Sequence, residues 1–161
     1  MGLNISHGTW HGAYSAFMRW RVEIARCIGV PLEFMEGFYS NDANSSGPAL
    51  TLRVLADAEV RSNPSGTYRA ADSLKRSFEV FPIPWSILRP DPLHALLHHS
   101  DCDGHLTPTQ AAKIADRLAE IMPLIKDEDG NGHVGNFRVK TQTFIDGCRR
   151  AASANERLRF S

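Results

Sequence analysis

The sequence predicts a mostly α-helical fold with a minor β component. Apolar side chains recur at helical spacing in three segments, residues 12–28, 109–122 and 136–152. Thr107 and Gln110 have the spacing of a capping box, which marks the N-terminus of the second segment. The strand-like run at residues 77–85 contains two prolines, which restrict any strand there to a sheet edge. We therefore predict one compact domain, residues 1–161, built on three or four amphipathic helices.

The first predicted helix, residues 12–28, has one apolar face and one charged face, and Gly29 ends it. We expect Arg19, Glu23 and Arg26 on the charged, outward face. The apolar face comprises Tyr14, Phe17, Met18, Ile24, Ala25 and Ile28.

A second helix is predicted over residues 49–60, because Pro48 suits a first turn and apolar residues form a stripe behind it. Turn-forming Ser, Asn, Gly and Pro concentrate on either side of that helix. Residues 40–48 and 61–77 are therefore predicted to be surface loops.

Two helices are predicted in the C-terminal half. Pro108 occupies the first turn of the helix at 109–122, and Pro123 ends it. The last helix, residues 136–152, is expected to turn its basic residues outward. Its expected inward residues are Phe144, Cys148, Ala151 and Ala152.

Composition excludes several function classes. Lys plus Arg and Asp plus Glu both number 18, so the net charge indicates no nucleic-acid or acidic-lipid partner. No apolar run reaches the roughly 20 residues that a membrane helix needs. Cys27, Cys102 and Cys148 are odd in number and far apart, which favours a reducing compartment. We expect a cytoplasmic protein without a membrane segment.

The stretch HHSDCDGHLTPTQ, residues 98–110, resembles a calcium loop in its spacing. With Gly104 at the sixth position, His99, Asp101 and Asp103 occupy ligand positions one, three and five. Gln110 stands at position twelve, where calcium loops have a bidentate glutamate, and it also serves the capping box. The aspartates could instead cap the turn through bonds to the backbone.

A second acidic stretch, KDEDGNGHV, offers Asp127, Asp129 and Asn131. Its twelfth position is Arg138, a positive side chain in place of a carboxylate, so we interpret this stretch mainly as a solvated turn. The helix between the two stretches separates them by about 20 Å, which is incompatible with paired calcium loops.

The histidines suggest a transition-metal alternative. His94 and His98 are four residues apart, as are His7 and His11, so each pair could lie on one helix face and bind a single ion. Asp101, Asp103 or His105 could complete the ligand set. The predicted cofactor is thus a divalent cation, Ca, Zn or Mn, held by residues that include His98, His99 and Gln110.

A third candidate site is a ligand-binding surface on the first helix. Arg19 and Arg21 could clamp a phosphate, and Trp10 and Tyr14 could stack on a base. Such residues are also common as core aromatics and solvated arginines. Cys102 lies between two aspartates, which disfavour its thiolate and argue against a nucleophilic role.

Three segments resemble a group of small proteins from phages and bacterial genomes. They are SHGTWHGAYSAFMRWR, LRPDPLHALLHHSDCDG and GHVGNFRVKTQTFIDGCRRAA. The resemblance carries no reaction with it and implies a phage or prophage accessory protein, with a role such as evasion of host defence. Two function classes follow. One is a metal-dependent hydrolase of a phosphorylated small molecule; the other is a non-catalytic protein that sequesters a host nucleotide signal or blocks a host protein.

Overall fold

The computed structural model describes residues 2–38, 83–130 and 134–161. The predicted helix at 49–60 and the predicted loops at 40–48 and 61–77 lie outside these ranges. Of the predicted edge strand at 77–85, Ile83 forms an isolated parallel bridge with Met35.

The described residues are mostly helical, with small antiparallel sheets, as the sequence predicted. The α-helices are α1 (Tyr14–Cys27), α2 (His94–Leu97), α3 (Pro108–Ile121) and α4 (Phe137–Ser153). Short 3₁₀ helices span Leu32–Phe34, Trp85–Ile87 and Met122–Leu124. Among the described helices, none is long and apolar enough to cross a membrane.

The N-termini of α3 and α4 are fixed by side-chain caps. The Thr107 hydroxyl accepts a bond from the Gln110 N–H, and the Gln110 side chain accepts one from the Thr107 N–H, so the predicted capping box forms. Asn136 caps α4 by accepting a bond from the Val139 N–H at 3.1 Å. These caps satisfy backbone donors that the helices leave unpaired, and they confirm both predicted starts within a residue.

An N-terminal β-hairpin, which the helix-based prediction missed, joins β1 (Gly2–Ile5) to β2 (Trp10–Ala13). His7 and Gly8 at its tip both have positive φ, 60° and 63°. With the Thr9 N–H bonded to the Ser6 carbonyl, these angles define a type I′ turn. This turn matches the right-handed twist of short strands, and Gly8 at its second central position was the available sequence signal.

The C-terminal segment, residues 158–161, is hydrogen-bonded to a two-residue strand on one side and to β1 on the other. On one side, β4 (Leu158–Arg159) pairs with β3 (His105–Leu106). On the other side, Ser161 exchanges backbone hydrogen bonds with Asn4, at 2.7 and 3.0 Å. Alternate side chains therefore face the core or the solvent: Leu3, Ile5, Leu106, Leu158 and Phe160 are buried, whereas Asn4, His105 and Arg159 are exposed.

An aromatic cluster joins this sheet to α1 and α4. Its members are Trp10, Phe17, Trp20, Phe144 and Phe160, with ring centroids 4.6–6.4 Å apart. The Trp20 indole N–H donates to the Thr141 hydroxyl at 3.0 Å, which satisfies a polar group inside the cluster. The prediction of an outward Glu23 is wrong: Glu23 is buried, and its carboxylate accepts a bond from the Lys126 N–H.

The chain divides into two compact units, one formed by residues 1–23 and 92–161 and the other by residues 24–91. In the second unit, the Trp85 indole N–H donates to the Glu36 carbonyl at 3.0 Å. All candidate site residues of the sequence analysis lie in the first unit. The predicted single domain stays a prediction.

Candidate functional site

The turn that follows α2 is built around the guanidinium of Arg21. This group donates to the carbonyl of Leu97 at 3.2 Å and to that of His99 at 2.8 Å. It also forms an ion pair with the Asp101 carboxylate at 3.2 Å. Two carbonyls and one carboxylate from alternate residues thus converge on a positive charge. A calcium loop arranges its oxygens similarly around an ion.

Arg21 is 1 % exposed, so this charge is inside the protein. Burial lowers the pKa of the Arg21 guanidinium, and the Asp101 carboxylate opposes that shift. Arginine nevertheless stays protonated in proteins. The buried cation is therefore stabilised by its acceptors, which makes the conformation of residues 97–101 dependent on it.

The His99 ring connects this turn to the C-terminal segment. It stacks on Phe160 with ring centroids 4.0 Å apart. Its Nδ1 lies 2.6 Å from the Ser100 carbonyl, which requires a proton on Nδ1. Gly104, with φ of 95°, closes the turn, and its carbonyl accepts a bond from the Phe160 N–H at 3.1 Å. The predicted sharp glycine turn is present.

The predicted cation ligands of this turn have different surroundings. Asp101 is half-buried against Arg21, whereas Asp103 and His98 are exposed. Gln110 has its side-chain oxygen bound in the capping box. Among the residues that the structure describes, no group of three or more His, Cys, Asp or Glu is placed to hold a metal ion.

The two histidine pairs differ in their surroundings. The His98 N–H donates to the His94 carbonyl at 3.1 Å across the single turn of α2, whereas the other pair is not helical. His7 lies in the hairpin turn and His11 in β2, so the prediction of one helix face for them is wrong. His7 Nε2 instead lies 3.2 Å from the Glu156 carboxylate. His94 begins the single turn of α2, and His105 is exposed in β3.

The predicted ligand-binding surface on the first helix is largely internal. Trp10 is 2 % exposed and belongs to β2, and the Arg21 guanidinium binds the turn that follows α2. Tyr14 is half-buried, and Arg19 is exposed. Since Trp10 and Arg21 are buried, these four residues do not form one contact surface.

A shallow cleft was missed by the sequence analysis. Its cavity volume is about 460 Å³, and its lining residues are Asn4, Ser6, Gly104, His105, Arg157, Arg159, Phe160 and Ser161. Among the described residues, the lining includes two arginines and one histidine but no acidic residue. It forms over the solvent face of the sheet, where alternation places His105 directly opposite Arg159.

The two arginine side chains of the cleft are available to bind an anion. Within the described part of the chain, neither Arg157 nor Arg159 has an ion-pair partner, and both are exposed. The Ser6 hydroxyl accepts a bond from the Arg159 N–H at 2.9 Å, which fixes the backbone beneath the Arg159 side chain. The sequence signal was two arginines in alternation, RLR, which place both on one strand face.

The buried thiol of α4 does not offer a nucleophile. Burial raises the pKa of the Cys148 thiol to about 12, so it stays protonated at neutral pH. Cys102 is exposed, with its sulfur 3.4 Å from the Ser100 hydroxyl oxygen.

No family model matches the sequence, and no curated protein or solved structure is significantly similar to it.

Proposed function

We propose that this chain is a non-catalytic binding protein whose ligand is a small phosphorylated anion such as a nucleotide. The observation that carries the proposal is the cleft over the sheet, where the lining that the structure describes contains Arg157, Arg159 and His105 and no acidic side chain. Guanidinium groups suit phosphate because their planar donors match pairs of phosphate oxygens. The cavity volume of about 460 Å³ falls within the range of roughly 300–1,000 Å³ of small-molecule sites.

The resemblance to phage proteins suggests a biological role for such binding. A phage accessory protein that captures a host nucleotide signal lowers the free concentration of that signal without any reaction. A cytoplasmic location follows from this role. The same basic cleft could also receive an acidic side chain of a host protein, which the experiment below distinguishes from a nucleotide.

The test is a calorimetric titration with inorganic phosphate and with adenosine 5′-monophosphate. We expect saturable binding of the nucleotide that Arg159→Gln weakens by about 10–100-fold, since charged hydrogen bonds contribute about 1.5–3 kcal/mol. Arg149→Gln is the matched control, because Arg149 is an exposed arginine of α4 outside the cleft lining. Absence of saturable binding in the wild type, or equal binding in both variants, rejects the proposal. Binding of an acidic peptide without nucleotide binding would favour the host-protein role.

A second proposal is a divalent cation, Ca, Zn or Mn, at the turn of Asp101 and Asp103, as a metal-dependent hydrolase requires. The positive φ of Gly104 supports it, because calcium loops need a sharp turn at this position. The Arg21 guanidinium opposes it, since it already neutralises Asp101. The double variant Asp101→Asn/Asp103→Asn should lose any cation-dependent rise in melting temperature. Equal responses in wild type and double variant reject this second proposal.

A further inference from the structure

We infer that the Arg21–Asp101 ion pair is a positioning device for the wall of the basic cleft. This inference rests on the proposed function of the cleft and assigns two residues to it that do not line it. Neither Arg21 nor Asp101 belongs to the cleft lining, so their effect on a ligand must pass through other residues.

The first step of the connection runs from Arg21 to the backbone of the turn. The guanidinium holds the carbonyls of Leu97 and His99, at 3.2 and 2.8 Å, and the carboxylate of Asp101. These three acceptors span five residues of irregular chain. With its donors in a rigid planar group, Arg21 fixes their relative positions.

The second step runs from the turn to the cleft. The His99 ring stacks on the Phe160 ring, and the Gly104 carbonyl accepts the Phe160 N–H. Gly104 and Phe160 both line the cleft, and Phe160 directly follows Arg159. Besides its bonds to Ser6 and its pairing with His105, the Arg159 backbone is therefore positioned by the turn, through the contacts of residues 99 and 104 with Phe160.

The third step concerns charge. Asp101 is the acidic partner that neutralises Arg21, and its side chain is 38 % exposed, so an amide can replace it without creating a cavity. Asp101→Asn keeps the shape but weakens the attraction for the guanidinium. Of the three contacts that hold the turn on Arg21, the one to Asp101 then loses its charge, and the turn and the cleft donors beyond it become more mobile. Since a preorganised donor set binds more tightly than a mobile one, ligand affinity falls.

The experiment compares Asp101→Asn with Asp127→Asn, both in the full chain. Asp127 is the matched control, because it also pairs with an arginine, Arg138 at 3.7 Å, in a turn outside the cleft lining. We expect Asp101→Asn to weaken binding of adenosine 5′-monophosphate by about tenfold and Asp127→Asn to leave it unchanged. His99→Ala, which removes the stacked ring but keeps the carbonyl that Arg21 binds, should weaken it as well.

A second readout does not depend on any ligand. Hydrogen exchange of the Phe160 amide, which is bonded to the Gly104 carbonyl, should accelerate in Asp101→Asn relative to that of the Ala111 amide in α3. A general loss of stability would accelerate both amides together. Unchanged relative exchange, or nucleotide binding equal to wild type, overturns the inference. If exchange responds but the wild type binds neither phosphate nor nucleotide, the proposed function is rejected while the positioning connection holds.

Discussion

Two acidic turns of this protein are built around an arginine in the same way but at different depths. In the first, Arg21 binds the carbonyls of residues 97 and 99 and the carboxylate of residue 101. In the second, Arg138 binds the carbonyls of residues 123 and 125 and the carboxylate of residue 127. Both turns therefore place three oxygens, two residues apart along the chain, around one guanidinium.

The difference between the turns is exposure. The Arg21 side chain is 2 % exposed, whereas that of Arg138 is 41 % exposed. Water and salt reach both side chains of the second ion pair, whereas in the first they reach the carboxylate of Asp101 but not the guanidinium of Arg21. We therefore expect three oxygens around a buried guanidinium to specify the backbone conformation of a turn, and the same set around an exposed guanidinium to contribute little to stability.

The largest expected effect is that of Arg21→Met, which keeps an unbranched apolar stem but removes the guanidinium and its charge. We expect a loss of about 2–4 kcal/mol in the free energy of unfolding. The buried Leu97 carbonyl and the half-buried His99 carbonyl lose their donor, while Asp101 can still be hydrated in part, so the loss stays below that of a fully buried pair. Urea denaturation followed by circular dichroism measures it.

Arg138→Met is the matched control for this prediction. An exposed pair contributes below about 1 kcal/mol, so the loss should be small even though the same number of acceptors is involved. Equal losses in the two variants would show that burial does not separate the turns.

The spacing of apolar residues in the sequence indicates that Arg21 is buried. Phe17, Arg21 and Ile24 recur at intervals of four and three, so Arg21 lies within the apolar stripe of α1. An arginine in such a stripe requires buried acceptors, but the periodicity does not name them. The acceptors come from Leu97 and His99, more than 70 residues later in the chain, and only the folded structure brings them together.

Other elements could be predicted when they depend on residues that are close together in the sequence. The capping box of Thr107 and Gln110 depends on four consecutive residues, and it formed as predicted. The β-hairpin was missed because its strands have four residues each, too few for a period of two to stand out. The cleft was missed because it requires three chain segments, near residues 4, 105 and 159, to lie side by side.

The second expected effect is that of Gly130→Ala in the exposed turn. A Cβ at this position would lie 2.6 Å from Phe137 Cζ and 3.0 Å from Val134 Cβ. We expect a loss of about 1–3 kcal/mol from this overpacking, measured by urea denaturation. We therefore expect the second turn to depend on packing at Gly130 more than on the Arg138 guanidinium.

A double-mutant cycle with Phe137→Leu provides the control for the Gly130 prediction. Leucine removes the ring atoms that the added methyl would meet, so Gly130→Ala should cost less in this background than in wild type. If the cost is the same in both backgrounds, the loss does not come from contact with Phe137.

The smallest expected effect is a difference in salt dependence between the two aspartates. Asp127→Asn should lower the free energy of unfolding by below about 1 kcal/mol at low salt. The loss should disappear near about 1 M sodium chloride, where the screening length falls to roughly 3 Å. Asp101→Asn should lower it by about 1–2 kcal/mol at both salt concentrations, because its partner Arg21 is buried and poorly screened. Urea denaturation of both variants at the two salt concentrations measures this, with wild type as the reference. If the stability loss of Asp101→Asn also vanishes at high salt, the Arg21–Asp101 pair behaves as an exposed ion pair, and burial of Arg21 does not distinguish the first turn from the second.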